Sequence, residues 1–279
     1  MNNHIAFRWV IALTPEALAI RERYRMISFP HNGPYPVFKD TEGLHWLTVC
    51  GVGRVNAAAA TIYLQQVSKA PPWSAWINVG IAGKREDTYG NLYHIDKITE
   101  DSTGQLYYPS PAITSSPIQA SLVTVDKPET NYDSNDLFDM EGSAFFDLAC
   151  RLSCQQLVML LKIVSDGPEH ILSNLNNNKI ADLVSRNIDN ISNIVSQMNY
   201  AIEQEYSRLK VPDIYHLILT KWHFTQTQKY QLNLLVKRCQ AINPDLEMLP
   251  YLKDCHDARS ALQKLSIKLD GHQIDWGKL

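Results

Sequence analysis

The sequence predicts an α/β domain followed by a mostly helical extension. Short apolar runs of strand length alternate with stretches of helical periodicity over most of the chain. Glycine-rich turns follow two of these runs, and helical spacing dominates after Ser173. We therefore expect one domain over residues 1–210 and an extension of unknown role over 211–279.

The elements of the predicted domain follow from apolar spacing and from helix-start signals. Ile5–Leu13 has the pattern of a first strand, and Thr14-Pro15-Glu16 then opens a helix, because proline is favoured in a first turn. Leu157–Val164 is a continuous apolar run, typical of a strand covered on both faces. Strands are also predicted at 44–50, 74–79, 92–99 and 121–125, and helices at 56–67 and 140–152.

The last hundred residues carry mainly helical periodicity. Apolar residues at helical spacing over 176–209 predict one or two amphipathic helices. Tyr215–Leu219 is strand-like, Gln226–Ala241 is predicted as a helix, and the end is polar. We expect the catalytic unit to cover the apolar residues of this extension, which would make its role structural. Lys221–Phe224 interleaves basic and aromatic residues, but nearby acidic residues disfavour binding of nucleic acid.

Composition excludes several classes of function. With a formal net charge of −3 and 45% hydrophobic residues, the 279-residue chain has neither a basic surface for nucleic acid nor a membrane span. Its five cysteines show no C-x-x-C spacing, which favours a reduced compartment over disulfides or zinc. We expect a cytoplasmic protein with no cofactor, no metal and no membrane partner.

Two glycine motifs follow predicted strands. The first, around Gly51 and Gly53, resembles a dinucleotide-binding turn, but Asn56 stands where that motif needs a third small residue. That motif also needs an acidic residue further along the chain to bind the ribose, and residues 70–76 contain none. A tight turn or a nucleoside-pocket loop fits better. The second motif, Gly80–Gly83, also lies at the end of a strand, where α/β sheets place ligands.

Three carboxylates lie at comparable strand ends. Glu16 follows the first strand, Glu141 precedes a helix, and Asp166 ends the buried strand. Each also has a structural explanation. Acids are stabilising in a first helical turn, and a Ser-Asp-Gly sequence is a common turn. The residues alone therefore leave both interpretations open.

The order and spacing of five segments resemble the purine nucleoside phosphorylase/nucleosidase superfamily. These segments are 12–17, 51–59, 78–83, 139–149 and 164–167. Within the superfamily they are similar to methylthioadenosine/S-adenosylhomocysteine nucleosidases and futalosine hydrolases, and Met140–Phe146 is most similar to the latter. The resemblance implies a three-layer α/β nucleoside phosphorylase-like fold with a central mixed sheet.

The resemblance also implies a role for each candidate residue. Asp166 would be the general acid that protonates the leaving base, and Glu16 would activate water. Glu141 would hydrogen-bond the ribose hydroxyls, and Met140 would pack against the sugar. Further substrate-binding positions are Gly51, Gly80, Ala82 and Asp126.

The first loop favours hydrolysis over phosphorolysis. A carboxylate at Glu16 would oppose a phosphate group by roughly 4 kcal/mol per unit charge at an effective dielectric of about 20. Arg54 aligns with a lysine of the nucleosidases rather than with a phosphate ligand. We expect release of base from a purine nucleoside or a 5′-modified nucleoside. A phosphorylase and a non-catalytic nucleoside-binding protein are the alternatives.

Two further expectations concern aromatic residues. The segment 125–129 carries no ring to stack on a purine. Tyr107, Tyr108 or Tyr132 could supply one, but each is expected at the surface or in packing instead. The resemblance implies a homodimer, for which Trp73, Trp76 and the helix predicted over 176–209 offer contact surface.

Overall fold

The computed structural model describes residues 4–86, 88–113, 118–170 and 175–271. The chain divides into two compact units, Met1–Arg208 and Leu209–Leu279. Among the described residues, no helix is long and apolar enough to span a membrane.

The first unit is built on one ten-stranded mixed sheet. Its strands are β1 (Phe7–Ile11), β2 (Ile27–Ser28), β3 (Val37–Lys39), β4 (His45–Val49), β5 (Ala75–Lys84), β6 (Leu92–Glu100), β7 (Leu106–Tyr107), β8 (Gln119–Thr124), β9 (Leu137–Asp139) and β10 (Val158–Asp166). Strand β1 pairs in parallel with β4 and β5, and β5 pairs in parallel with β10. The carboxyl ends of these four strands therefore lie at one edge.

Pairing of the remaining strands closes part of the sheet on itself. Strand β10 pairs with β6, β6 with β8, β8 with β9, and β9 returns to β5. The short segments β2 and β3 extend the opposite side through β4. The ring of pairings brings β8 and β9 next to the carboxyl ends of β5 and β10, which positions their loops over the site described below.

Helices cover both faces of this sheet, as the α/β prediction required. They are α1 (Thr14–Arg23), α2 (Arg54–Ser68), α3 (Gly142–Leu152), α4 (Asn177–Ser196) and α5 (Met198–Leu209). Helix α1 packs against α4 on one face, and α2 packs against α3 on the other. Each pair forms an apolar core with the sheet. The fold is therefore a three-layer α/β arrangement, and the predicted fold class is confirmed.

The second unit is helical and has its own apolar core. Its helices are α6 (Asp213–Leu219), α7 (Gln226–Ile242), α8 (Met248–Tyr251) and α9 (Ala258–Asp270). Leu232 and Val236 of α7 pack with Leu265 of α9, and all three are fully buried. The expectation that the catalytic unit covers these residues was wrong, because α9 supplies a complementary apolar face. That helix lies in the segment expected to be a polar end.

The strand predicted over Tyr215–Leu219 is a helix, α6. Its five residues are too few for spacing to separate a strand from a helix, so residue preference misled the prediction. Only Ile218 of this helix is fully enclosed, and it joins the core of the second unit.

The surfaces proposed for a second copy are largely covered within the chain itself. Trp76 lies on β5 and is fully buried, and Trp73 is half-buried with its indole donating to the His4 carbonyl at 3.0 Å. The apolar face of α4, including Leu183 and Ile191, belongs to the core under the sheet. Trp76 and the apolar face of α4 therefore offer no contact surface, whereas Trp73 is partly exposed, and the homodimer stays a prediction.

Candidate active site

A cavity of about 200 Å³ opens at the carboxyl edge of the sheet. The ends of β5, β9 and β10 form its wall together with the loops that leave β1, β4, β8 and β9, as expected for an α/β sheet. Its lining residues are Ala12, Leu13, Val52, Ile81–Gly83, Val125, Pro128, Glu129, Tyr132, Phe138–Glu141, Ser165 and Asp166. The predicted site residues Ala82, Met140, Glu141 and Asp166 thus face a common space.

Asp166 ends β10 beside Gly83 of β5. Its Oδ2 accepts a hydrogen bond from the Tyr132 hydroxyl at 2.5 Å, and the Ser165 hydroxyl hydrogen-bonds to Oδ1. A Cβ at Gly83 would lie 2.8 Å from Asp166 Oδ2 and 2.7 Å from the Tyr132 ring. Gly83 is therefore required for the close approach of the carboxylate and the tyrosine.

Glu141 lies across the cavity at the start of α3. Its Oε1 accepts the backbone N–H of Gly53 at 2.7 Å, at the amino end of α2, where the helix dipole favours an anion. Gly53 has a φ of +105°, so a glycine is needed to aim this N–H. Burial and the nearby charge of Asp139 raise the pKa of Glu141 to about 7, although the Lys162 ammonium opposes the shift.

Glu16 is 1% exposed and lies against the cavity wall rather than in it. Its Oε1 accepts from the Ile81 N–H and its Oε2 from the Leu13 N–H, both at 2.8 Å. The second bond caps α1, so the structural explanation of Glu16 also holds. Burial raises the pKa of Glu16, while the two backbone hydrogen bonds hold it down in part.

A buried lysine balances these acids. Lys162, at the centre of β10, forms an ion pair with Asp139 Oδ2 at 2.8 Å and donates to Asn78 Oδ1 at 2.7 Å. Thr124 donates to the other Asp139 oxygen at 2.8 Å. Burial lowers the pKa of Lys162, but the charges of Asp139 and Glu141 outweigh it, so the pKa lies above its ordinary value.

Gly80 connects this cluster to Glu16. A Cβ at that position would lie 3.0 Å from Glu16 Oε1 and 3.6 Å from the Lys162 ammonium. The absence of a side chain at Gly80 thus lets both charged groups reach the same side of β5.

Neither Gly80 nor Gly51, both predicted to bind substrate, lines the cavity. Gly51 instead connects two strand ends. It has a φ of +82°, and its N–H donates to the Ala12 carbonyl at 2.9 Å, which ties the end of β4 to the end of β1.

The structure does not bring Asp126 to the cavity. Its carboxylate is exposed and pairs with Arg54 at 2.6 Å, and Arg54 also pairs with Glu100. The preceding residue, Val125, lines the wall in its place. Arg54 is thereby held away from the cavity by two carboxylates.

Sequence reasoning missed three residues of the site and ranked a fourth, Tyr132, too low. Lys162 and Asp139 form its central ion pair, and Phe138 and Tyr132 supply the aromatic wall. A lysine inside the apolar run 157–164 was an available signal, because a charge on a fully covered strand needs an internal partner.

The sequence offered Tyr132 as a possible stacking residue but favoured a position in packing or at the surface, whereas the structure places it in the cavity wall. The Glu129 carboxylate accepts the N–H groups of Thr130 and Asn131 at 2.8 and 2.6 Å. This turn gives Tyr132 a φ of +49° and directs its ring into the cavity. Tyr107 packs edge-on against Phe146, and Tyr108 is exposed, as expected.

The fold matches solved nucleosidase structures. The 5′-methylthioadenosine/S-adenosylhomocysteine nucleosidase of Neisseria meningitidis, in complex with methylthio-immucillin-A, has a TM-score of 0.56 at 14% identity, over 69% of this chain and 99% of that chain. The 5′-methylthioadenosine nucleosidase of Arabidopsis thaliana has a TM-score of 0.57 at 18% identity, over 70% and 96%.

A futalosine hydrolase mutant from Helicobacter pylori strain 26695 is similar at a TM-score of 0.55 and 11% identity, over 68% of this chain and 98% of that chain. No protein-family model matches the sequence, and a search of curated proteins gave no match. The chain therefore has the fold of the nucleoside phosphorylase/nucleosidase superfamily, as its motifs predicted.

Proposed function

We propose that this protein hydrolyses the N-glycosidic bond of a purine nucleoside or 5′-modified nucleoside and releases the base. One observation carries the proposal: Asp166 and Glu141, from distant segments, line one buried cavity, and Glu16 lies against its wall. The nucleosidase structures that share the fold support it, one of them with a nucleoside analogue bound.

The three carboxylates have complementary tasks in such a reaction. Departure of a purine leaves positive charge on the sugar and negative charge on the base. Asp166 delivers a proton to the base, which makes it a better leaving group. Glu141 accepts hydrogen bonds from the ribose hydroxyls, and Met140 packs against the sugar. These charge-assisted bonds strengthen as the sugar becomes cationic.

Water is the nucleophile in this proposal. Among the described residues, no arginine or lysine lines the cavity, and Arg54 is engaged by Glu100 and Asp126. A phosphate ion in the cavity would lie beside the carboxyl groups of Glu141 and Asp166, and no cation in the cavity lining would offset the repulsion. The raised pKa of Glu16 suits a group that takes a proton from water.

The test is a panel of purine nucleosides and 5′-modified nucleosides incubated with purified protein, with and without phosphate. We expect free base and free sugar in both conditions, and about 10²–10⁴-fold slower base release from the Asp166→Asn variant. Release that depends on phosphate would identify a phosphorylase. Nucleoside binding without base release by the wild-type protein would identify a binding protein.

We also propose a homodimer. Val55, in the first turn of α2, is 82% exposed, and Val52, which lines the cavity just before α2, is 45% exposed. Exposed apolar side chains that lie close together on the surface are typical of a protein interface. Light scattering at micromolar concentration is expected to give twice the 31.7 kDa of one chain, and Val55→Asp to give the single chain. A wild-type particle of one chain would overturn this proposal.

A further inference from the structure

Tyr132 is a buried tyrosine that the reaction described above does not use. Its hydroxyl donates to Asp166 Oδ2 at 2.5 Å, and its ring packs edge-on against Phe138 with the centroids 6.0 Å apart. Burial and the Asp166 charge raise the pKa of Tyr132, so the phenol keeps its proton at neutral pH. The hydrogen bond therefore runs from a neutral donor to the carboxyl that serves as the acid.

The local backbone fixes this contact. Tyr132 adopts a positive φ, held by the turn around the Glu129 carboxylate, and Gly83 leaves room for its ring. A positive φ is unfavourable for an aromatic residue. Two independent features of the chain thus hold the hydroxyl on Asp166, which distinguishes it from a tyrosine that merely fills space.

Other titratable groups also face Asp166. Within the cavity these are Glu129, Tyr132, Asp139 and Glu141. A small pocket on the other side adds Lys84, Glu86, Tyr89, Glu169 and His170, and the Lys84 ammonium pairs with Glu86 at 2.8 Å. All of these except Tyr132 are unchanged by a substitution at Tyr132, so a comparison of variants isolates the contribution of its hydroxyl.

On the basis of the proposed hydrolysis, we propose that Tyr132 is a positioning residue, which orients the Asp166 carboxyl and stabilises the carboxylate formed when Asp166 transfers its proton. A hydrogen bond donated to a carboxylate favours its ionised form. The Tyr132 hydroxyl therefore stabilises the carboxylate that is left after Asp166 has transferred its proton. The same bond orients the Asp166 carboxyl, whose other oxygen is engaged by Ser165.

The test is Tyr132→Phe, which keeps the ring and removes only the hydroxyl. We expect the alkaline limb of kcat/KM to move to higher pH by roughly one to two units, the range of a hydrogen bond to a charged group. The plateau of kcat is expected to fall by about tenfold, because the resulting carboxylate is less stabilised. Tyr108→Phe removes an exposed phenol outside the cavity and should change neither quantity.

A second measurement separates this inference from the proposed function. The Asp166 side-chain carboxyl is followed by ¹³C NMR during a pH titration, and its signal is assigned by its loss in Asp166→Asn. Its midpoint should rise by roughly one to two pH units in Tyr132→Phe and stay unchanged in Tyr108→Phe. An unchanged midpoint in folded Tyr132→Phe protein would overturn the inference. Failure of the wild-type protein to release base would overturn the function but leave this titration valid.

Discussion

The two units of the chain differ in what they bury. Among the described residues of the first unit, seven charged side chains are buried: Arg8, Glu16, Lys84, Asp139, Glu141, Lys162 and Asp166. In the described part of the second unit, residues 209–271, every buried side chain is apolar or a cysteine. Burying a charge costs free energy unless it is paired, whereas an apolar core needs no such compensation.

The positions of the buried charges show what the difference means. Five of the seven lie in or beside one cavity, and there Lys162 pairs with Asp139 while backbone N–H groups bind Glu16 and Glu141. A unit that needed only stability could fold as the second unit does. We infer that the first unit retains this cluster for chemistry and that the second unit is structural.

The largest effect is expected at Asp166. Asp166→Asn keeps the shape of the side chain but cannot deliver a proton, so base release should fall by about 10²–10⁴-fold. Circular dichroism and thermal unfolding should show a folded protein. Activity within about threefold of wild type would show that Asp166 is not the acid. It would also contradict the inference that the first unit retains its buried charges for chemistry.

A substitution at Lys162 tests how strongly the stability of the first unit depends on pairing of its buried charges. Lys162→Met fills a similar volume but leaves buried carboxylates without a counter-charge, so the free energy of unfolding should fall by about 3–5 kcal/mol. The matched control is Lys264→Met in the second unit, where the pair with Asp254 spans 3.7 Å and is partly exposed. Denaturant titration should show a change of less than about 1 kcal/mol for the control. Similar losses for both variants would contradict the comparison.

The sequence predicted the site residues that belong to recognisable segments, but not those that depend on contacts between distant parts of the first unit. Glu16, Glu141 and Asp166 were identified because each belongs to a segment whose order and spacing are recognisable. Lys162 was predicted to lie on a buried strand, but its partner Asp139 is contributed by another strand, and pairing between distant strands is not visible in local spacing. Tyr132 depends on a turn capped by a glutamate side chain, and no short pattern specifies where such a ring points.

The core of the second unit offers the next largest effect. Leu265 of α9 is fully buried, whereas Ile267 of the same helix is 60% exposed. Leu265→Ala should lower the free energy of unfolding by about 2–5 kcal/mol, and Ile267→Ala should change it by less than about 0.5 kcal/mol. Base release per folded molecule should match wild type for both. Loss of turnover in folded Leu265→Ala protein would show that the second unit takes part in the chemistry.

A smaller, pH-dependent effect is expected at Glu141. Its pKa of about 7 lies above the ordinary 4.5, so the folded state holds the proton more tightly than the unfolded state. The resulting stabilisation is fully present below about pH 4.5 and is lost as the pH rises through 7, a change on the order of 3 kcal/mol. Glu141→Gln should remove this dependence. The check is denaturant unfolding of both proteins across that range, and equal slopes would contradict the assignment.

The central claim is that water attacks the sugar in the cavity between Asp166 and Glu141. The most direct measurement is a reaction run in ¹⁸O-labelled water containing phosphate, with the sugar product analysed by mass spectrometry. The account predicts free base and free sugar that carries one ¹⁸O at its anomeric carbon, formed about 10²–10⁴-fold more slowly by Asp166→Asn. Sugar 1-phosphate as the main product, or no base release from any nucleoside in the panel, would contradict it.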